Sequence, residues 1–191
     1  LPSDRTTFFN FLASHDGIGL NPLRGIVSDD EIDALIEHIQ KIGGLISSKL
    51  NSNGAQSPYE LNINYLDALQ DINGQPQIDI LINRFILAHA IMMSLVGVPA
   101  IYFHSLFGSR GWQEGVTISG QKRSINRQKL ELQELERELK NPTSLRYRIF
   151  QRMAHLLKVR TSHPAFHPNG EQRVLEIDSA IFALLRTSLD R

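Results

Sequence analysis

Thr6 to Ala13 (TTFFNFLA) is a run of β-branched and aromatic residues without polar alternation, the pattern of a strand buried on both faces. It ends in Ser14-His15-Asp16-Gly17. Ser28-Asp29-Asp30-Glu31 has the Ser-x-x-Glu form of a capping box, and Ile32, Leu35, Ile36 and Ile39 follow at helical spacing. That spacing predicts a helix stopped by Gly43-Gly44. Residues 45–60 are rich in Ser, Asn, Gly and Pro and predict an irregular loop, followed by a short helix or turn over Leu61 to Leu69. From Ile78 to Val96 the chain is apolar on nearly all sides, which predicts a buried helix with Gly97 as its stop. Val98 to Phe103 reads as a second buried strand, with Pro99 tolerated near its first residue.

His104 to Arg127 is rich in Gly and holds the only Trp, Trp112, so it predicts a long connection without regular structure. Leu130 to Leu139 is charged and helical. Asn141-Pro142-Thr143 starts another helix, in which Leu145, Ile149, Met153, Leu156 and Leu157 recur at core spacing. Gln172 to Ile177 and Ala180 to Thr187, joined at Asp178-Ser179, predict a hairpin opening a β-rich domain. No internal repeat is evident.

Two buried strands separated by helices suggest a parallel α/β arrangement. Two strands alone make no stable sheet, so the pattern implies a larger sheet whose other strands are missing. The chain begins Leu-Pro and stops at Arg191 within the small β unit, and both ends read as cut.

Composition narrows the chemistry. The 191 residues carry no net charge, 41% are apolar and 21% charged, and none is Cys, an ordinary globular balance with one domain as the default. Cysteine-based zinc sites, disulfides and thiol catalysis are excluded. The balanced charge argues against a nucleic-acid or anionic-membrane partner, and the longest apolar run, Ile86 to Val98 with His89 inside it, is too short to span a bilayer. With no leader pattern at its start, the chain reads as cytoplasmic.

His15-Asp16 directly follows a buried strand, where parallel α/β folds collect binding and catalytic side chains, and Gly17 and Gly19 would admit a ligand close to the backbone. The bland alternative is that Asp16 forms an Asx turn or caps the next segment. Gln121 to Arg127 places Lys122, Arg123 and Arg127 in a polar segment; Arg127 could hold a polyol or an anion through its planar fork, or the segment could be a solvated loop. Tyr59 could contact a ligand or anchor its own loop, and Trp112 could stack on a sugar or pack a lid. His38, His89 and His104 invite a metal reading, but a His-Asp metallohydrolase needs its pair on a helix; His89 reads as a core residue and His38 as an exposed helical one. A Ser-His-Asp triad is weaker still, because Ser14 lacks the Gly-x-Ser-x-Gly elbow.

Phe8 to Gly19 (FFNFLASHDGIG) closely resembles sucrose phosphorylases and related glucoside phosphorylases of the α-amylase superfamily, in the region where a strand ends in Asn/Ser/Thr-His-Asp. The likeness continues through Gly25-Ile26-Val27, Ser57-Pro58-Tyr59-Glu60-Leu61-Asn62, Gly97 to Phe103 and Ser124-Ile125-Asn126-Arg127, in order over nearly the whole chain. The resemblance implies the C-terminal part of a (β/α)8 TIM barrel over residues 1–168, with Thr6 to Ala13 as strand seven and Val98 to Phe103 as strand eight. Residues 169–191 would begin a C-terminal β domain. It implies a retaining transfer of an α-glucosyl unit between a glucoside and inorganic phosphate, with no cofactor or metal.

In that family the nucleophile and the acid/base lie in earlier regions, which this chain does not contain, so the fragment alone is expected to be inactive. Asp16 matches the transition-state stabiliser, His15 its sugar-binding neighbour, and Arg127 an arginine at the far end of the pocket. Tyr59 falls in a mobile loop that exchanges acceptor sites. Ser57-Pro58-Tyr59 in place of Asp-Leu-Tyr, and Ser14 in place of Thr, look more like the glucosylglycerate branch. A homo-oligomer, association with the missing N-terminal part, a non-catalytic fragment and an α-glucoside hydrolase remain alternatives.

Overall fold

The computed structural model describes residues 3, 5–72 and 77–190. Leu1 and Arg191, the ends of the two expected domains, lie outside the described residues.

Local rules are obeyed where the chain carries explicit punctuation. α1 (Asp29–Lys41) is opened by Ser28, whose Oγ accepts from the Glu31 amide while the Glu31 carboxylate accepts from the Ser28 amide. This capping box satisfies amides that the first helical turn leaves orphaned. Its hydrogen bonds from Ser28, backbone first and hydroxyl second, hold the Glu31 carboxyl below its usual pKa. Ile32 and Ile39 point into the core, as their spacing requires.

A mixed α/β architecture follows. β1 (Phe9–Asn10) pairs in parallel with β5 (Val98–Pro99). β2 (Ile18–Gly19), β3 (Leu45–Leu50) and β4 (Gln56–Asn62) form an antiparallel sheet in the order β2-β4-β3. α2 (Tyr65–Ala68), α3 (Ile78–Ser94), α4 (Phe103–Leu106), α5 (Gln113–Ser119), α6 (Leu132–Lys140) and α7 (Leu145–Ser162) follow, and the hairpin β6 (Glu171–Asp178) and β7 (Ile181–Thr187) ends the order.

Two cores result. In the first, Leu81, Ile82, Phe85, Met92 and Met93 of α3 pack against Ile149 and Met153 of α7, with Leu66 beneath them. In the second, Ile32 and Ile39 of α1 cover Leu61 of the antiparallel sheet, together with Leu20 and Ile63. Arg160, in the last turn of α7, donates to the carbonyls of Met93, Leu95 and Gly97, closing the end of α3.

Several expectations are corrected. Residues 45–60 are not an irregular loop but most of the β3–β4 hairpin, turned at residues 51–55, where the Asn51 amide donates to the Ala55 carbonyl at 2.8 Å. Their polar content belongs to cross-strand bonds: Ser47 Oγ donates to Asn62 Oδ1 at 2.6 Å and Asn51 Nδ2 to Ser57 Oγ at 2.6 Å. Thr6 to Ala13 and Val98 to Phe103 are not long, doubly buried strands. Only Phe9–Asn10 and Val98–Pro99 pair, and Phe8, Phe9, Phe11 and Val98 are exposed, because this sheet has no further strand among the described residues.

The helix from Ile78 is buried on one face only. Its second apolar stripe, Ile80, Leu87 and Ile91, faces outward, since its main helical partner α7 covers the other side. α3 ends at Ser94, so Gly97 is not its cap; Gly97 instead turns the chain into β5 at φ +116°. The segment from His104 to Arg127 is also more ordered than its glycines suggest, holding most of α4, α5 and a 3₁₀ turn over Lys122–Asn126.

Candidate functional site

The chain leaves β1 at Asn10 and turns back at Ser14. The Ser14 amide donates to the Gly17 carbonyl at 2.9 Å and the Gly17 amide to the Ser14 carbonyl at 3.1 Å, while Ser14 Oγ accepts from the Asp16 amide. Gly17 sits at φ +125°, and a Cβ there would meet the Leu61 carbonyl oxygen at 2.0 Å. Only glycine allows this turn to press against β4. The turn thereby presents His15 and Asp16 beside the sheet.

Two guanidinium groups and an imidazole surround Asp16, all on its Oδ1. Arg127 Nη2 donates at 2.5 Å, Arg123 Nε lies at 3.3 Å, and His15 Nε2 lies at 3.6 Å, beyond hydrogen-bond reach. Arg127 Nε also donates to the His15 carbonyl at 3.1 Å, so the guanidinium grips backbone and side chain of the same turn. The Asp16 side chain remains 28% exposed.

Tyr59 lies on β4 at a register shift. Glu60 pairs with Ser47 while Pro58 pairs with Ser48, so Tyr59 is the extra residue of a β-bulge. Bulges re-aim side chains, and this one directs the Tyr59 hydroxyl to Arg123 Nη2 at 3.0 Å. The buried Glu60 accepts from Arg123 Nε at 3.2 Å and from Asn62 Nδ2 at 2.9 Å; Asn62, fully buried, also donates to the Asp16 carbonyl at 2.8 Å. Glu60 first, then Asp16, raises the pKa of the Arg123 guanidinium. Tyr102 closes the other side by donating to the Asn126 carbonyl at 2.6 Å, and burial pushes its phenol pKa up.

The structure thus brings His15, Asp16 and Arg127 together and links Tyr59 to them through Arg123. The sequence assigns no role to Arg123, Glu60 or Asn62. The available signal was two polar residues, Glu60 and Asn62, two apart and therefore on one face of a strand. Trp112 packs over Gly115, and His104 shares a hydrogen bond with Ser109. His89 is buried, with Nδ1 2.8 Å from the Phe85 carbonyl. Among the described residues no three His, Asp or Glu side chains gather to hold a metal ion, and no helix is long and apolar enough to cross a membrane.

No family model matches the chain. Relatives do. Glucosylglycerate phosphorylase of Escherichia coli (strain K12) is 45% identical over 190 residues, all of this chain and 34% of that protein. Glucosylglycerate phosphorylase of Spirochaeta thermophila is 48% identical over 187 residues, 97% of this chain and 31% of that protein. This chain is homologous to the glucosylglycerate phosphorylases. Sucrose phosphorylase of Agrobacterium vitis is a more distant relative, at 31% identity over 91% of the chain. Sucrose 6F-phosphate phosphorylase from Thermoanaerobacter thermosaccharolyticum shares the fold, with a TM-score of 0.77 over 95% of this chain and 35% of its own, at 23% identity. The chain spans about a third of the length of these glucosylglycerate phosphorylases.

Proposed function

We propose that this chain is the C-terminal part of a retaining glucoside phosphorylase, which moves an α-glucosyl unit reversibly between a glucosylglycerate-type glucoside and inorganic phosphate. In that reading residues 1–168 complete a (β/α)8 barrel, with β1 and β5 as its strands seven and eight, and residues 169–191 start the next domain. The exposed Phe8, Phe9, Phe11 and Val98 support it, because a two-stranded parallel sheet leaves faces and edges that further strands would cover.

The observation that carries the reading is the arginine-held carboxylate of Asp16, in a chain homologous throughout to glucosylglycerate phosphorylases. Arg127 and Arg123 hold Asp16 through Oδ1, and in this reading its other oxygen, Oδ2, accepts a sugar hydroxyl. A carboxylate held this way strengthens its hydrogen bond as positive charge develops on the sugar ring, and binding that tightens only in the transition state raises the rate. His15 contributes a second contact to the glucosyl unit, Arg127 faces the phosphate or acceptor anion, and Tyr59 borders the acceptor. The nucleophile and the acid/base come from other segments of the longer protein. There the carboxylate displaces the aglycone from C1, and a phosphate oxygen then displaces the carboxylate.

The test is phosphate dependence. The full-length protein incubated with α-glucosylglycerate should release glucose 1-phosphate only when phosphate is added. Free glucose formed equally without phosphate would identify a hydrolase instead, and turnover by the 191-residue chain alone would show that its own residues suffice.

A further inference from the structure

From charge alone the basic segment 122–127 reads as a solvated loop, yet each of its cations is committed. Lys122 Nζ donates to the Ile46 carbonyl at 2.7 Å, Arg127 holds Asp16, and Arg123 reaches three groups at once. Those groups are the Asp16 carboxylate at 3.3 Å, the Glu60 carboxylate at 3.2 Å and the Tyr59 hydroxyl at 3.0 Å. The contacts also close a ring. Glu60 Oε2 accepts from both Arg123 and Asn62, and Asn62 returns to the Asp16 backbone carbonyl. Both the side chain and the main chain of Asp16 are therefore referred to one buried carboxylate. Glu60 cannot drift, since it is only 8% exposed and its partners are themselves tied to the sheet.

We propose that Arg123 is a positioning residue that couples Tyr59 to Asp16, fixing the acceptor-side tyrosine and the sugar-side acid relative to each other through Glu60. The inference rests on the phosphorylase reading above. The planar guanidinium donates in fixed directions to Glu60 through Nε and to the Tyr59 hydroxyl through Nη2 while its charge lies 3.3 Å from Asp16 Oδ1, an arrangement that a lysine ammonium on a flexible stem does not reproduce. Arg123 touches no reacting atom in this scheme; its effect is transmitted by the two side chains it orients.

A double-mutant cycle in the full-length protein separates coupling from general damage. Arg123→Gln should lower kcat for glucoside phosphorolysis and raise the KM for phosphate. Tyr59→Phe should cost less, and the double variant should be little worse than Arg123→Gln, leaving a coupling of about tenfold. Arg123→Lys should keep the charge and the fold without restoring either kinetic constant. If Arg123→Gln fails to fold, the pair Tyr59→Phe and Glu60→Gln runs the same cycle with the guanidinium in place.

Losses that simply multiply in an active enzyme, or full rescue by Arg123→Lys, overturn the proposal. A wild-type protein that makes no glucose 1-phosphate under phosphate overturns the phosphorylase reading instead, and with it the roles assigned to the pair.

Discussion

Arg127 stands 111 residues beyond Asp16 in the chain, yet its Nη2 donates to Asp16 Oδ1 at 2.5 Å while its Nε holds the His15 carbonyl at 3.1 Å. This contact joins the turn after β1 to the end of the 3₁₀ turn over Lys122–Asn126, and β4 adds Tyr59, Glu60 and Asn62 to the same site. The site is thus assembled from three segments, each fixed by a different local rule.

Asp16→Asn removes the carboxylate charge while keeping its shape. In the full-length protein kcat/KM for the glucoside is expected to fall about 10²–10³-fold, the range seen when one preorganised electrostatic group is removed. Steady-state kinetics check it; a variant within about threefold of wild type would take Asp16 out of the transition state.

Gly17→Ala is expected to lower thermal stability by about 1–3 kcal/mol, through left-handed backbone strain and the 2.0 Å approach of the new Cβ to the Leu61 carbonyl oxygen. Gly54→Ala is the control, because Gly54 has φ +82° with nothing within 4 Å. Equal shifts in melting temperature for the two variants would mean that the contact with β4 is immaterial.

Ser28→Ala deletes one half of the capping box. A loss of about 1 kcal/mol is expected, comparable to other helix caps. For a chain of this size that corresponds to a fall of about 2–4 °C in melting temperature.

Acid should weaken the α3 core. Burial pushes the His89 pKa below its ordinary 6.5, so folding favours the neutral ring. The stabilisation is present above that ordinary value and is lost as pH falls through the folded value. His104 is lowered by burial, and by the nearby Arg146 charge, in the same direction. Melting curves at about pH 7.5 and about pH 5 should therefore differ, and His89→Gln should flatten the difference.

Much of the fold is written in short-range pattern. The Ser28-x-x-Glu31 box, the core spacing of Ile149 and Met153 in α7, and the hairpin over residues 171–187 were each legible, because a cap, a helical stripe and a tight turn depend on residues only a few positions apart. The β3–β4 hairpin was not. Its Ser47, Asn51, Ser57 and Asn62 look like loop residues until cross-strand partners are supplied, and no local rule names a partner.

The buried-strand pattern at Phe8, Phe9 and Phe11 was read in the same way, yet burial is a property of what surrounds a strand.

By itself the sequence determined a cysteine-free, charge-balanced mixed α/β chain, with His15-Asp16 following a strand segment and a basic segment ending in Arg127. Only the tertiary structure decided that Arg123 meets Glu60, Tyr59 and Asp16. Long-range ion pairs carry no periodicity along the chain. Their partners are chosen by the bulge at Tyr59, the glycine turn at Gly17 and the packing of two cores, which together set the distances at which these charges meet.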